Sequence, residues 1–552
     1  MKNQSALNRL VVMASWMALL IAGALGVAPL IPPAPPAELD TAAFTVDRAL
    51  DHIERIAQEP RPIGSLANQR ARADIMAQLE MLGLEAQVQI IEAANYYGGP
   101  AERVEIGNVV ARIPATAPTM AVALVGHYDT VPGTPGANDD GSAVGIMLEV
   151  ARAILAGQRL RNDVILVFTD GEEPAPRFGS SAFVAEHPWA SDIGFVINLE
   201  AVGSGGPSTL TGMSGPGGWI IDQYIEAVPY PAAFSFLTTV AELIGGSNSD
   251  FATFRDQGIA GVEFAYLRGS PIYHTLADTP ERVSLHSLQQ QGANTLALTR
   301  HIGNLKLAPS VNDSNAVFFN VGRFGVVRYP ITWALPIALL TGALLAGAGW
   351  RQRAWLCILR SVASTVATMM GSAVAAVGVW TVLASQRDTM GVAESYLYLA
   401  GLLVLTAGIG SAVARVIGRQ IGEEPDATGV VIVWWVLGLL TAIVAAGMSY
   451  LFVWPALAGG VTLLWRTWWR WQPILAAATV VVVGSALLLL IPAIDTFYQL
   501  AQPRPGNPGS EILALIAIPI VLLALVVELL RAFWVRPNKR PAPVGQTSTL
   551  KE

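Results

Sequence analysis

The sequence predicts an α/β domain with a mostly parallel central sheet, together with an α-helical transmembrane region. Between Asp40 and Pro309, apolar segments alternate between strand and helix character, which is the pattern of a largely parallel sheet. Over the whole chain of 552 residues, 53% are hydrophobic and only 14% are charged, a composition too apolar for an ordinary soluble protein. Part of the chain is therefore expected to lie in lipid.

Charge and cysteine content exclude several kinds of function. The net charge of −7 offers no basic surface, so no nucleic-acid partner is predicted. The single cysteine, Cys357, allows neither an intrachain disulfide nor a thiolate metal cluster. Any metal ion must therefore be bound by His, Asp and Glu.

The first apolar segment is predicted to be a membrane anchor. Residues from Leu10 to Ile31 are almost continuously apolar, which is long enough to cross a hydrocarbon core of roughly 30 Å. A cleaved signal peptide is the alternative, but the run exceeds a typical signal core and ends in the Pro-rich stretch Pro29–Pro36. We interpret residues 1–38 as a cytoplasmic stub, an uncleaved anchor and a linker, and cleavage stays open.

A second membrane region follows Arg328. Seven apolar stretches recur there, at about Pro330–Trp350, Ser361–Ala384, Ser395–Ile417, Gly429–Gly447, Ser449–Trp465, Pro473–Ile491 and Ile512–Trp534. Arg and Lys occupy alternate connections, which places both termini in the cytoplasm and the segment between the first and second spans outside it. We predict a linker at 311–328, about seven helices at 329–535 and a cytoplasmic tail at 536–552. Few ionisable residues lie in the spans, which favours an anchor over a transporter.

The α/β domain is predicted to have at least five strands and seven helices. The strands are Val104–Arg112, Ala121–Gly126, Asp163–Thr169, Phe195–Glu200 and Gly261–Tyr266. The helices begin near Phe44, Ala67, Ser142, Ser180, Gly218, Asp250 and Ser284. Sites in such sheets form where loops leave the carboxyl ends of the strands.

The first candidate site residues follow the strand Ala121–Gly126. His127 and Asp129 share one face if the strand continues. Asp129 can then orient the imidazole, as a carboxylate behind a metal-bound histidine does, although a lone histidine at a strand end is more often structural. The next loop leads into a helix that either Asp140 or Ser142 can cap. This leaves Asp139 to face the site, where its two oxygens can bridge two cations.

Further candidates end the following strands. Glu172 and Glu173 come just after Val164–Thr169, and if one of them binds a metal ion, the other can accept a proton from an activated water. Glu200 closes the next strand, and His274 lies beyond the last one. Two histidines and three carboxylates at successive strand ends form a ligand set suited to a pair of zinc ions.

These motifs, in this order, resemble the co-catalytic zinc exopeptidases of the aminopeptidase S, aminopeptidase Y and glutamate carboxypeptidase type. More narrowly, the chain is similar to the endoplasmic reticulum metallopeptidase and vacuolar membrane protease group. The narrower resemblance rests on the order of anchor, peptidase domain and multispan tail, and on His187–Ser191, Ile197–Ala201, Ser249–Phe251 and Tyr273–Thr275. It implies a three-layer zinc-exopeptidase domain at residues 39–310.

The resemblance also implies a role for each candidate. Asp139 would bridge the two zinc ions, His127 and Glu200 would complete one site, and Glu173 and His274 the other. The catalytic residues would be Glu172 as general base, Tyr273 as a hydrogen-bond donor to the oxyanion, and Asp129 behind His127. Many relatives have Asp where this chain has Glu200, which leaves the geometry and metal preference of that site open.

We therefore predict a membrane-bound zinc metallopeptidase that acts on peptide or protein substrates, and more specifically an aminopeptidase. The alternatives are a glutaminyl-cyclase-like enzyme with one zinc ion and a noncatalytic receptor or scaffold with a peptidase fold. Retention of both histidines and all three ligand carboxylates favours the two-zinc enzyme. A carboxypeptidase needs a cation for the substrate carboxylate, and Arg177, Arg255 and Arg268 cannot be placed from sequence. The natural substrate, the role of the tail and the oligomeric state stay open.

Overall fold

The structure is a computed structural model that describes residues 2–37, 40–98, 102–174, 177–246, 248–307, 315–382, 392–419, 426–466, 472–502 and 513–533. The predicted cytoplasmic tail, 536–552, lies outside the described residues, as do residues 311–314 of the predicted linker.

One seven-stranded sheet forms the centre of the α/β domain. Its strands are β1 Ala86–Ala94, β2 Arg103–Ile113, β3 Ala121–His127, β4 Val164–Thr169, β5 Ile193–Ala201, β6 Thr209–Ser214 and β7 Gly261–Tyr266. They are arranged in the order β1-β2-β4-β3-β5-β7-β6. The four central strands β4, β3, β5 and β7 are parallel, whereas β1, β2 and β6 pair antiparallel. The carboxyl ends of the parallel strands therefore meet at one edge of the sheet.

All five predicted strands are present, and the two edge strands β1 and β6 are additional. Only one residue of β1, Ala93, is buried, because the strand alternates Gln and Glu with apolar residues at the rim of the sheet. Strand β6 follows the Gly203–Gly206 loop, whose composition indicates a turn. Edge strands of this kind lack the continuous apolar run by which buried parallel strands are recognised.

Helices cover both faces of the sheet, which confirms the predicted three layers. They are α2 Val46–Ile56, α3 Leu66–Met81, α4 Gly141–Ala156, α5 Phe178–Glu186, α6 Gly217–Ala227, α7 Ser235–Leu243, α8 Asp250–Asp256 and α9 Leu285–Asn304. Because side chains alternate along a strand, Val122 and Leu124 of β3 pack with α2, α4 and α9, while Ala123 and Val125 pack with α5 and α8. Seven of these helices begin within about two residues of the predicted positions, and α7 was not predicted.

The remaining long helices are α1 Lys2–Val27, α10 Ala334–Gln352, α11 Trp355–Val382, α12 Val392–Arg419, α13 Ala427–Val444, α14 Tyr450–Arg466, α15 Gln472–Leu500 and α16 Leu513–Phe533. Among the described residues, seven helices are long and apolar enough to cross a membrane, by length and composition. The predicted span Ser449–Trp465 corresponds to α14, which is not one of the seven and has 17 residues. The chain is thus a membrane protein.

A β-hairpin joins the two parts of the molecule where a linker was expected. Strand β8 Ala316–Asn320 pairs with β9 Val326–Pro330, and all but the last two residues of this hairpin lie within the predicted linker 311–328. Alternate residues of β8 face different cores: Phe318 packs in the core of the α/β domain, whereas Val317 and Phe319 pack with the membrane helices. The hairpin therefore belongs to both hydrophobic cores.

Candidate active site

The candidate site lies where the carboxyl ends of the parallel strands meet. His127 is the last residue of β3, and Asp139 lies in the loop between β3 and α4. Glu172 and Glu173 follow β4 directly, Glu200 lies one residue before the end of β5, and His274 lies in the loop after β7. The sheet topology thus brings together side chains that are far apart in the sequence.

Asp139 lies between the two histidines. Its Oδ1 is 3.3 Å from His127 Nε2, and its Oδ2 is 3.1 Å from His274 Nε2. Burial acts to raise the pKa of the Asp139 carboxyl, but the two nearby imidazoles hold it below its usual value. Each oxygen of this carboxylate therefore faces a different imidazole, which is the arrangement expected of a bridging ligand.

The other candidate ligands group around this pair. Glu173 Oε2 is 3.1 Å from His274 Nε2. Ligand atoms of His127, Asp139 and Glu173 lie within 4.8 Å of one another, and so do those of His127, Asp140 and Glu200. All five predicted ligands thus lie at one place. Asp140, which the sequence indicated only as a possible helix cap, adds a further carboxylate to the group.

Asp140 is the cap of α4. Its Oδ1 accepts a hydrogen bond from the backbone N–H of Ala143 at 3.2 Å, while the Ser142 hydroxyl donates to the carbonyl of Asn138 at 2.8 Å. The sequence left either residue open for this role. Its buried Oδ2 has no hydrogen-bond partner, and an oxygen of this carboxylate lies within 4.8 Å of ligand atoms of His127 and Glu200.

Glu172 borders the ligand cluster without belonging to either group. Its Oε2 is 3.9 Å from His127 Nε2, and its side chain is 11% exposed. Burial raises the pKa of the Glu172 carboxyl well above its usual value, even though His127 lowers it. A carboxylate with a raised pKa is a stronger base than an ordinary surface glutamate.

Asp129 contacts both His127 and the segment that carries Glu172 and Glu173. His127 Nδ1 lies 3.1 Å from the Asp129 backbone carbonyl and 3.5 Å from its carboxylate, so Nδ1 carries the proton and Nε2 is free to bind a cation. The Asp129 carboxylate also accepts hydrogen bonds from the backbone N–H groups of Glu172, at 3.1 Å, and Glu173, at 3.3 Å. It thereby fixes the segment that carries both glutamates.

Tyr273 stacks on His274. The two ring centroids are 3.7 Å apart and the ring planes differ by 18°. Burial, together with the nearby carboxylates of Asp139 and Glu173, raises the pKa of the Tyr273 phenol well above its usual value. The phenol therefore keeps its proton and can act as a hydrogen-bond donor. His274 itself has φ 59°, a left-handed conformation that non-glycine residues rarely adopt outside functional sites.

Two residues to which the sequence gave no role hold the Asp139 loop. The Asp278 carboxylate accepts hydrogen bonds from the backbone and side-chain N–H of Asn138, at 2.9 and 2.7 Å, and from the Asp139 N–H at 3.1 Å. Arg61 is completely buried and donates to the carbonyls of Tyr128, Pro135 and Gly136. Asp278 could have been suspected from its place in the Tyr273–Thr279 motif, whereas nothing around Arg61 marks it.

The side chains of the cluster fit a metal ion. Asp139 Oδ2, Glu173 Oε1 and His274 Nε2 are buried atoms without a hydrogen-bond partner, although His274 Nε2 is only 3.1 Å from carboxylate oxygens. Buried polar atoms are normally hydrogen-bonded, so a convergent group of unpartnered ones is suited to binding a cation. Imidazole nitrogen with carboxylate oxygen is a ligand set that zinc accepts.

Comparison with known sequences identifies a family. Residues 108–299 match the family described as Peptidase family M28, and this region contains all eight candidate site residues. The chain is 36% identical over 234 residues to Endoplasmic reticulum metallopeptidase 1 of Homo sapiens, covering 41% of this chain and 26% of that protein. It is 30% identical over 282 residues to the vacuolar membrane protease of Candida dubliniensis, covering 48% and 29%. The match spans less than a third of either relative.

Solved structures include similar folds. An aminopeptidase from Aneurinibacillus sp. strain AM-1 aligns with a TM-score of 0.40 and 16% identity, covering 50% of this chain and 98% of that one. Glutaminyl cyclase from Porphyromonas gingivalis aligns with a TM-score of 0.39 and 20% identity, covering 46% and 98%. At these scores neither likeness bears on function.

Proposed function

Because residues 108–299 form a domain of the zinc-dependent peptidase family M28, we propose that this membrane protein hydrolyses peptide bonds at the site around Asp139. The observation that carries the proposal is the position of Asp139 between two imidazoles, with one carboxylate oxygen toward each. The sequence similarity to membrane-bound relatives that are named metallopeptidase or protease supports it.

We assign two zinc ions to the cluster. Asp139 would bridge them, with His127 and Glu200 completing one site and Glu173 and His274 the other. When bound, zinc lowers the pKa of a water molecule and polarises a carbonyl group. The buried, unpartnered atoms of Asp139, Glu173 and His274 support this assignment.

Glu172 acts as the general base in this scheme. It lies beside the ligand cluster but outside both ligand groups, so its carboxylate is available to accept a proton from water. The same carboxyl can then hold that proton and pass it to the leaving amine. Asp129 keeps Glu172 in place through the backbone hydrogen bond.

Tyr273 and His127 complete the chemistry. The protonated phenol of Tyr273 donates a hydrogen bond to the substrate carbonyl oxygen as negative charge develops there, which is the function of an oxyanion hole. Loss of one such donor reduces the rate about 10²- to 10³-fold in other hydrolases. The Asp129 carbonyl keeps His127 in the tautomer whose Nε2 points into the cluster.

We propose an aminopeptidase rather than a carboxypeptidase. Of the three arginines that a carboxypeptidase could use to bind a substrate carboxylate, Arg255 is ion-paired with Asp256 and Arg268 with Asp495, both at 3.0 Å. Arg177 is hydrogen-bonded to Asn248 and Thr253. All three guanidinium groups are thus engaged within the chain, which supports specificity for a free amino terminus.

Hydrolysis of a peptide panel tests this function. The purified full chain should cleave peptides with a free amino terminus, lose activity in the presence of a chelator and regain it on addition of zinc. Glu172→Gln should lower kcat about 10²- to 10⁴-fold while zinc content stays unchanged, because Glu172 binds protons and not metal. Cleavage confined to N-blocked peptides would refute the aminopeptidase assignment, and chelator-resistant hydrolysis would refute the metallopeptidase.

A further inference from the structure

A largely buried ion pair connects the candidate site to the membrane helices. Arg268 follows β7 by two residues, and its guanidinium lies 3.0 Å from Asp495 of α15, with the two side chains only 20% and 11% exposed. Tyr396 of α12 donates a hydrogen bond to the other oxygen of Asp495 at 2.6 Å. Gln499 donates to the Tyr396 hydroxyl at 3.1 Å, and the Arg268 guanidinium lies 5.7 Å from the Tyr396 ring centroid. Three elements of the chain thus meet in one polar cluster.

The backbone of Arg268 holds the loop that follows Glu200. The Arg268 carbonyl accepts hydrogen bonds from Ser204 N at 2.8 Å and Gly205 N at 3.1 Å, and the Arg268 N–H donates to the Gly205 carbonyl at 2.9 Å. A Cβ added at Gly206 would lie 2.9 Å from Arg268 Cγ, so the two segments are in close contact. A shift of Arg268 would therefore displace the segment after Glu200.

Arg268 also lies near the start of the loop that carries the candidate ligand His274. From Arg268 the chain runs through a short 3₁₀ turn, Ser270–Ile272, into Tyr273 and His274. The Tyr273 N–H donates a hydrogen bond to the Ser270 carbonyl at 3.0 Å. A shift of Arg268 would therefore also move the turn and the His274 that follows it. One residue thus fixes the segments of two candidate ligands, one from each proposed zinc site.

We propose that Asp495 and Tyr396 of the membrane helices hold Arg268 and thereby keep Glu200 and His274 in position to bind zinc. On this account the multispan tail is part of the catalytic machinery and not only an anchor, and Arg268, Asp495 and Tyr396 are positioning residues. The inference rests on the proposed metallopeptidase function.

The energetics favour a fixed contact. Removing one partner of a buried, hydrogen-bonded ion pair leaves the other charge uncompensated, which destabilises the contact more than loss of a surface ion pair does. Two other contacts between described residues of the two parts lie away from the site. The Ser235 hydroxyl donates to the Gly447 carbonyl at 2.6 Å, and Phe319 stacks on Tyr450 at 4.6 Å, yet α7 and β8 carry no candidate site residue.

Hydrogen exchange and zinc binding of the full chain in lipid nanodiscs test the proposal. Asp495→Asn preserves shape but removes the charge, and Tyr396→Phe removes one hydroxyl. Both should accelerate amide exchange in segments 202–206 and 267–279, and Asp495→Asn should weaken zinc binding about tenfold or more, as loss of contacts behind a metal ligand does. Arg268→Lys should retain part of the native protection because it keeps the charge.

The matched control is Ser235→Ala, which removes a contact between the same two parts without touching the metal-binding loops. It should leave exchange in 202–206 and 267–279 and zinc affinity at native values. Native exchange in those segments of Asp495→Asn, or equal acceleration in Ser235→Ala, would overturn the proposal. Exchange can be measured whether or not the chain hydrolyses peptides. If the proposed function is wrong and this inference is right, hydrolysis will be missing while Asp495→Asn still accelerates exchange in 202–206 and 267–279.

Discussion

At the scale of single residues, some side chains of the site could be identified from the sequence and others could not. Polar residues directly after apolar strands, such as His127 and Glu173, could be identified because parallel strands end at one edge of a sheet. Arg61 and Asp278 could not be assigned, because they act on backbone groups that the fold alone brings near them. The sequence left Asp140 and Ser142 as alternative caps of α4; Asp140 caps the helix, and its carboxylate also lies in a ligand group with His127 and Glu200.

Asp278 provides a residue-scale prediction. Asp278→Asn should reduce zinc affinity and kcat about 10- to 100-fold, because the amide group replaces one of the two acceptors that hold Asn138 and Asp139. Zinc titration and steady-state kinetics on the purified chain measure the effect. Asp256→Asn, an exposed ion-pair residue, serves as control, and native zinc affinity in Asp278→Asn would remove Asp278 from the account.

At the scale of elements, continuous apolar strands and capped helices were predictable, whereas elements at boundaries were not. Strand β1 lacks a buried apolar run, and β8 lies within a segment whose sequence indicated a linker. The reason is that β8 packs between the core of the α/β domain and the membrane helices, so its burial depends on both. Helix α1, which the sequence predicts to be a membrane anchor, packs along α15 as one member of the bundle.

The packing of α1 predicts different effects for two glycines. A Cβ at Gly26 would lie 2.9 Å from the Leu487 carbonyl and 3.2 Å from Ile491, whereas Gly408 of α12 has no heavy atom within 4 Å. Gly26→Leu should therefore destabilise the protein by about 1–3 kcal/mol through overpacking, and Gly408→Leu should not. Thermal unfolding in detergent measures both. Equal melting temperatures for the two variants would show that α1 does not pack as described.

At the scale of the whole molecule, the sequence predicted an α/β domain and a helical membrane region but not how they meet. Arg268 and Asp495 are 227 residues apart, and no local pattern links them. Contacts between described residues of the two parts fall at Ile31, Gly447, Tyr450 and Asp495, next to span ends that are predicted to lie outside the cytoplasm. These span ends therefore share one side of the membrane helices with the α/β domain, and the distribution of arginines predicts that this side is extracytoplasmic.

Cysteine labelling tests that topology. In a Cys357→Ser background, a membrane-impermeant maleimide should label Gln58→Cys, exposed in the α/β domain, on intact cells. Arg351→Cys, exposed in the last turn of α10, should be labelled only after permeabilisation, because the distribution of arginines places the connection between α10 and α11 in the cytoplasm. The reverse labelling pattern would invert the orientation.

Diffraction at the zinc absorption edge tests whether Asp139 bridges two adjacent zinc ions. Crystals of the zinc-loaded full chain should show two anomalous peaks, one on the His127 side of Asp139 and one on the His274 side. A single peak, or two peaks away from Asp139, would contradict the account.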